Sequence, residues 1–155
     1  MEIERKYLVR ELPSDLDRYP HIEIEQCYLC TSPTVRVRRM GDVYVLTVKE
    51  NLSMGRVGEA IHNREEEFLL DAEAYDRLKS KCEGQPVVKT RYRIPLQGGF
   101  TAELDLFHGV HEGLRLVEVE FPDTEDSDTF TPPDWFGEDV SSDHRYRNSW
   151  LAFSV

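Results

Sequence analysis

Glu2-Ile3-Glu4-Arg5-Lys6-Tyr7-Leu8-Val9 opens the chain with an alternating pattern. Successive side chains on a strand point to opposite faces, so Glu2, Glu4 and Lys6 share one face. Ile3, Tyr7 and Val9 fall on the other, which is apolar apart from Arg5. Two carboxylates on one strand face repel each other unless a cation joins them. The stretch therefore reads either as a solvated edge strand or as part of a metal site, and the remaining strands decide between the two.

Working outward, period-two alternation recurs over 2–9, 22–30, 34–40, 43–50, 60–70, 87–95, 99–107 and 114–121. Turn signals separate these runs: Arg39-Met40-Gly41-Asp42, the polar stretch Asn51–Gly58, Gln97-Gly98-Gly99 and His108–Gly113. A helix is expected from Asp71 or Ala72 to Cys82, closed by Gly84 and Pro86. A shorter one is expected from about Thr124 to Phe130, and a last one after Asp143 with Trp150, Leu151 and Phe153 as its packing face. Many antiparallel strands with few helices predict a mainly β (α+β) barrel or sandwich.

In ordinary antiparallel sheets the polar face is a mixed, solvated surface. Here the charges are segregated strand by strand. Arg36 and Arg38 share a face, with Thr47 and Lys49 matching them on the next strand, and Lys89, Arg91 and Arg93 share another. Glu103 pairs with Asp105, and Glu118 with Glu120. If the sheet closes with these faces inward, a basic wall and an acidic wall enclose one cavity. Arginine forks and lysine point charges bind phosphate oxygens. Carboxylates crowded together require cations. A polyphosphate bridged by Mg²⁺ or Mn²⁺ satisfies both walls, and hard divalent cations suit a site without a Cys/His cluster.

At 155 residues the chain suits one domain, 1–155, with a sizeable core. A formal net charge of −11 argues against nucleic acid as a partner while permitting an anion in an enclosed basic site. No apolar run approaches the roughly 18 residues of a membrane span. With the first strand read from residue 2, no signal peptide is expected, and the odd cysteine count agrees with a cytoplasmic location. Cys27 and Cys30 form a C-x-x-C, but an i, i+3 pair on a strand faces opposite sides, so ordinary thiols are expected.

These residues resemble the CYTH domain, the triphosphate tunnel metalloenzymes, in order along nearly the whole chain. Glu2-Ile3-Glu4-Arg5-Lys6 looks like E-x-E-x-K, and Gln26-Cys27-Tyr28-Leu29 like Q-G-Y-L. Val35-Arg36-Val37-Arg38 resembles the paired-arginine strand, Leu46-Thr47-Val48-Lys49 a lysine-ending strand, and Lys89-Thr90-Arg91-Tyr92 K-x-R-Y. Glu103-Leu104-Asp105-Leu106-Phe107 resembles E-x-D-x-F, and Glu118-Val119-Glu120-Phe121 E-V-E-[LF]. Trp135–Val140 and Asp143–Asn148 look like the closing segment.

The resemblance implies an eight-stranded antiparallel β-barrel forming a tunnel with a charged interior, plus a few peripheral helices. It implies hydrolysis or rearrangement of a triphosphate with Mg²⁺ or Mn²⁺. Carried over position by position, Lys6, Arg36, Arg38, Lys49, Lys89, Arg91 and Arg145 grip phosphates. Glu2, Glu4, Glu118 and Glu120 hold metal, with Glu103 and Asp105 orienting a second metal or its waters. Glu4 and Lys6 sit at the reacting centre, and Tyr28 with Lys89 forms a proton-transfer dyad. Cys27 departs from the family's glycine. Arg64-Glu65-Glu66-Glu67 departs from R-x-E-x-E and allows two registers, of which the one with Glu65 and Glu67 inward is favoured. Arg56, in the long polar segment Asn51–Asn63, is a further possible contact on a mobile cover. His108 and His111 read as surface loop residues.

The expected reaction is water attack on a terminal phosphoryl group of inorganic triphosphate, driven by positioning and charge. ATP cyclised as in class IV adenylate cyclases, and thiamine triphosphate, are the competing substrates. A polyphosphate- or nucleotide-binding module without turnover is the non-enzymatic rival. The chain gives no preference between monomer and homodimer.

Overall fold

The computed structural model describes residues 1–53 and 57–153. Nine strands form among them: β1 (Glu2–Val9), β2 (His21–Thr31), β3 (Thr34–Met40), β4 (Val43–Ser53), β5 (Ile61–Leu70), β6 (Glu83–Pro95), β7 (Thr101–His108), β8 (Arg115–Phe121) and β9 (Phe136–Asp139). They lie in the antiparallel order β5-β4-β3-β2-β6-β7-β8-β1, and β1 then pairs with β5 to close an eight-stranded barrel. The seam is short. β1 meets β8 along Ile3–Leu8, but its other edge is shared between β5 at Glu2–Glu4 and β9 at Tyr7–Val9. β9 was not expected as a strand, because four residues are too few to display a period of two.

The barrel is amphipathic in the inverse sense. Ile3, Tyr7, Leu104, Val117, Val119 and Phe121 face outward and are buried under the helix α2 (Thr124–Thr129), β9 and the aromatic rings of Phe130, Trp135 and Phe136. Asp123 caps α2 by accepting the Asp126 N–H at 2.7 Å. Phe130 stacks against Phe121 and Phe100 with centroids 5.2 and 5.8 Å apart. On the far side Cys27 and Val37 are covered by the helix α1 (Ala72–Lys79) through Tyr75 and Leu78. Cys30 is exposed. The outward Arg5, only 6% exposed, ties this shell together. It donates to Ser127 O at 2.8 Å, Gly58 O at 2.7 Å and Asp139 Oδ2 at 3.0 Å.

Two helices differ from the sequence expectation, one in its end and one in its packing face. α1 stops at Lys79 rather than Cys82, and Gly84 and Pro86 lie inside β6, not in a helix terminus. Proline is tolerated near a strand end, and Gly84 adopts φ +71°, a conformation only glycine enters freely. The final helix, α3 (Asn148–Phe153), buries Leu151 and Ala152, while Trp150 and Phe153 stay exposed. Leu151 and Ala152 pack on Tyr28, Val87, Phe107 and Leu116, so α3 plugs one end of the barrel. His111, expected on the surface, holds this plug: its ring Nε2 donates to Leu151 O at 2.7 Å. No helix among the described residues is long and apolar enough to cross a membrane.

Candidate active site in the barrel

Because the apolar half faces out, the charged half faces in. The interior is a cavity of about 1010 Å³. Register puts Arg36 opposite Thr47, Lys49 opposite Glu65, Lys6 opposite Glu118 and Glu4 opposite Glu120. Glu2, Glu4, Lys6, Tyr28, Arg36, Arg38, Lys49, Glu65, Glu67, Arg91, Glu103, Glu118 and Glu120 all line it. Arg64 and Glu66 border the cavity too, but Glu65 and Glu67 are the ones that meet the inward Arg36 and Arg38, at 3.5 and 3.0 Å. Arg64 reaches out to Glu50 at 3.8 Å with its side chain 71% exposed. Arg56 lies outside the described residues.

Three sequence-assigned residues sit elsewhere. Arg145 turns to Asp143 at 2.7 Å, 64% exposed, and does not line the cavity; Arg147, two residues on, does. Asp105, assigned to metal, is saturated by cations. Arg91 grips it through Nε and Nη2 at 2.8 and 2.9 Å, and Lys89 Nζ stands 2.7 Å from Oδ2. Its carboxyl is held low although burial raises it, because Arg91 and Lys89 outweigh the desolvation. Asp105 therefore positions two cations. Lys89 itself is buried behind the wall, also donating to Asn148 Oδ1 at 3.4 Å. Tyr28 reaches the cavity and accepts from Gln26 Nε2 at 3.4 Å; among the hydrogen bonds of the described residues none joins Tyr28 to Lys89. Arg147 lines the cavity and Arg5 ties the outer shell, roles that no local period announces because they depend on segments far apart in the chain.

The carboxylates are electrostatically frustrated. Burial, then a hydrogen bond with Glu65, pushes Glu2 up to about 8, while Glu65 is held down to about 2, its burial outweighed by the bond to Glu2 and by Lys49 and Arg36. Across the β1–β5 seam the two carboxyls are thus pushed in opposite directions. Burial and the charge of Glu118 push Glu4 up to about 7. Glu118 is itself buried but held low by Lys6 at 3.1 Å and by Arg91 and Lys89. Burial lowers Lys89 to about 8 against the pull of Asp105, and lowers Arg38 to about 10.

Some interior polar atoms find no hydrogen-bond partner. Arg36 Nε and Arg38 Nε are unused donors, and Glu2 Oε1 accepts no hydrogen bond although Lys49 Nζ is 3.4 Å away. Among the described residues no three Asp, Glu, His or Cys side chains converge into a ready-made metal cage. Glu2, Glu4, Glu118 and Glu120 offer the carboxylate oxygens that hard divalent cations take.

The chain matches the CYTH domain over residues 1–146. It is 40% identical over 159 aligned residues to an inorganic triphosphatase of Nitrosomonas europaea, covering 99% of this chain and 98% of that one. It is 35% identical to an inorganic triphosphatase of Acetivibrio thermocellus, covering 97% and 92% of the two. A crystal structure of an inorganic triphosphatase superposes with a TM-score of 0.72 at 37% identity, over all of this chain and 96% of that one. With its closed barrel, charged interior and a match spanning most of its length, the chain belongs to the CYTH domain family.

Proposed function

We propose that this protein hydrolyses inorganic triphosphate with the help of Mg²⁺ or Mn²⁺. The observation that carries this reading is the coexistence, in one cavity, of unused guanidinium donors at Arg36 and Arg38 and a buried carboxylate oxygen at Glu2 accepting no hydrogen bond. A polyphosphate satisfies the first and a cation the second. Two curated relatives named inorganic triphosphatase support the same substrate.

Glu2 and Glu4, with Glu118 and Glu120, are the residues that fit a divalent cation; their raised or mutually balanced charges are what a cation relieves. The bound ion would neutralise phosphate charge and acidify water. Arg36, Arg38, Lys49 and Arg91 hold phosphate oxygens, and Lys6, beside Glu118, places the chain against the acidic wall. Glu65 and Glu67 orient Arg36 and Arg38, at 3.5 and 3.0 Å. Tyr28 offers a hydroxyl at the cavity surface, and Lys89, lowered to about 8 by burial, has the proton affinity a base near neutral pH needs. Such a dyad requires the amine to leave Asp105.

Incubation with tripolyphosphate, ATP or thiamine triphosphate in Mg²⁺ or Mn²⁺, with orthophosphate, pyrophosphate and cyclic AMP all measured, separates the readings. Fastest orthophosphate release from tripolyphosphate is expected. Cyclic AMP with pyrophosphate from ATP would make it a cyclase. Binding without any product would make it a module.

A further inference from the structure

Gln26 shares the inward face of β2 with Tyr28 and is fully buried, yet only one end of its amide is used. Its Nε2 donates to the Tyr28 hydroxyl at 3.4 Å, while its Oε1 meets no hydrogen-bond partner among the described residues. A buried acceptor left unmade is costly, so this orientation calls for a physical reason. Register supplies one. Arg38 is the residue directly across from Gln26 on β3, and a guanidinium draws the amide oxygen to its own side, leaving Nε2 for the phenol. Arg36, directly across from Tyr28, reaches the same hydroxyl with its guanidinium. Burial would lower the pKa of Arg36, but Tyr28 and Glu65 beside it outweigh burial and raise it.

Resting on the reading of this cavity as a triphosphate site, the geometry points to Gln26 as the positioning residue of Tyr28, holding the phenol oxygen as an acceptor so that its proton is presented to the cavity. A phenol has one proton to donate and an oxygen that accepts. With Gln26 and Arg36 both donating to that oxygen, the proton finds no protein acceptor among the described residues, and Tyr28 lines the cavity. Donors on the oxygen also polarise the O–H bond and strengthen it as a donor. The hydroxyl therefore meets the reacting group already turned, with no rotation left to lose. This role leaves Lys89 on Asp105, where its Nζ stands 2.7 Å from Oδ2.

Gln26→Met keeps the length of the side chain and removes both ends of the amide, and it is compared singly and together with Tyr28→Phe. The first readout is steady-state hydrolysis of tripolyphosphate in Mg²⁺. Gln26→Met is expected to lower kcat about tenfold with KM within about twofold of wild type, and to cost less than about twofold when Tyr28→Phe is already present. An unchanged kcat in Gln26→Met, or the same fold loss in both backgrounds, would overturn the proposal. The second readout needs no turnover: ultraviolet resonance Raman of the Tyr28 ring, isolated by subtracting the Tyr28→Phe spectrum, reports whether the hydroxyl accepts or donates. Gln26→Met should shift its doublet towards the donor form. The isosteric Gln26→Glu, whose carboxylate can only accept beside Arg38, should shift it the same way and further. No shift in either variant, or a shift of Gln26→Met towards the acceptor form, would mean that Nε2 does not hold the phenol and would overturn the proposal. A wild type that binds tripolyphosphate without turning it over defeats the hydrolase reading alone, and the doublet still decides Gln26.

Discussion

Lys49 Nζ stands 3.4 Å from Glu2 Oε1, so the basic and acidic walls meet across β5 at the seam where the barrel closes. The walls are interlocked rather than merely opposed. A phosphate chain arriving alone would have to part ion pairs and leave carboxylates buried without partners, which is costly. A divalent cation arriving with it would take those carboxylates while the phosphates take the cations.

Substrate and metal affinities should accordingly be coupled. Calorimetry is expected to show tripolyphosphate binding at least about tenfold tighter in Mg²⁺ than in EDTA. Equal affinities would mean the carboxylates do not need the cation.

The same frustration sets a pH dependence. Glu2 and Glu4 have folded-state pKa values raised to about 8 and 7, above the 4.5 of the free side chain, so between these limits the folded protein binds more protons than the unfolded. Their contribution to stability is full below about pH 4.5 and is lost as pH rises through 7 and 8. The Tm without metal should therefore fall between pH 6 and 8.5, and the rise on adding Mg²⁺ should be larger at pH 8.5 than at pH 6. A flat profile from scanning calorimetry would count against buried, unneutralised carboxyls.

Two interior carboxyls should respond oppositely to neutral replacement. Asp105→Asn strips the anion from Lys89 and Arg91, and breaking such a buried pair costs about 3 kcal/mol or more. Glu4→Gln removes a group whose charge is already resisted, so without metal its stability at pH 8 should equal or exceed wild type. Urea unfolding of the two variants side by side measures both signs.

The plug has its own test. A Cβ on Gly84 would lie 2.6 Å from Ala152 O and 2.8 Å from the Phe153 ring, on a residue whose φ is +71°. Gly84→Ala should destabilise by roughly 1–3 kcal/mol and displace α3, seen as faster amide exchange over 148–153. Unchanged exchange there would show that α3 does not depend on that approach.

The barrel and its charged lining were legible because alternation is local: each strand states which residues share a face, and Glu65/Glu67 needed only the choice between two registers. What sequence could not supply was pairing between distant segments. Asp105 reads like any carboxylate until Arg91 and Lys89 are seen around it. Arg145 and Arg147 stand two apart in an irregular segment, where no period says which one turns inward. Arg5 looks like an exception on an apolar face, yet it is the buried tie between β1, α2 and β9. Gly84 and Pro86 carry the signals of a helix end and serve a strand beginning beneath the plug.

The most direct measurement of the central claim is the product balance of tripolyphosphate hydrolysis in Mg²⁺ by wild type and folded Glu4→Gln. The wild type should release orthophosphate and pyrophosphate in equal amounts, and the variant should lose at least about a hundredfold in kcat while keeping its Tm. Equal turnover by both proteins, or no orthophosphate from the wild type, would contradict the account.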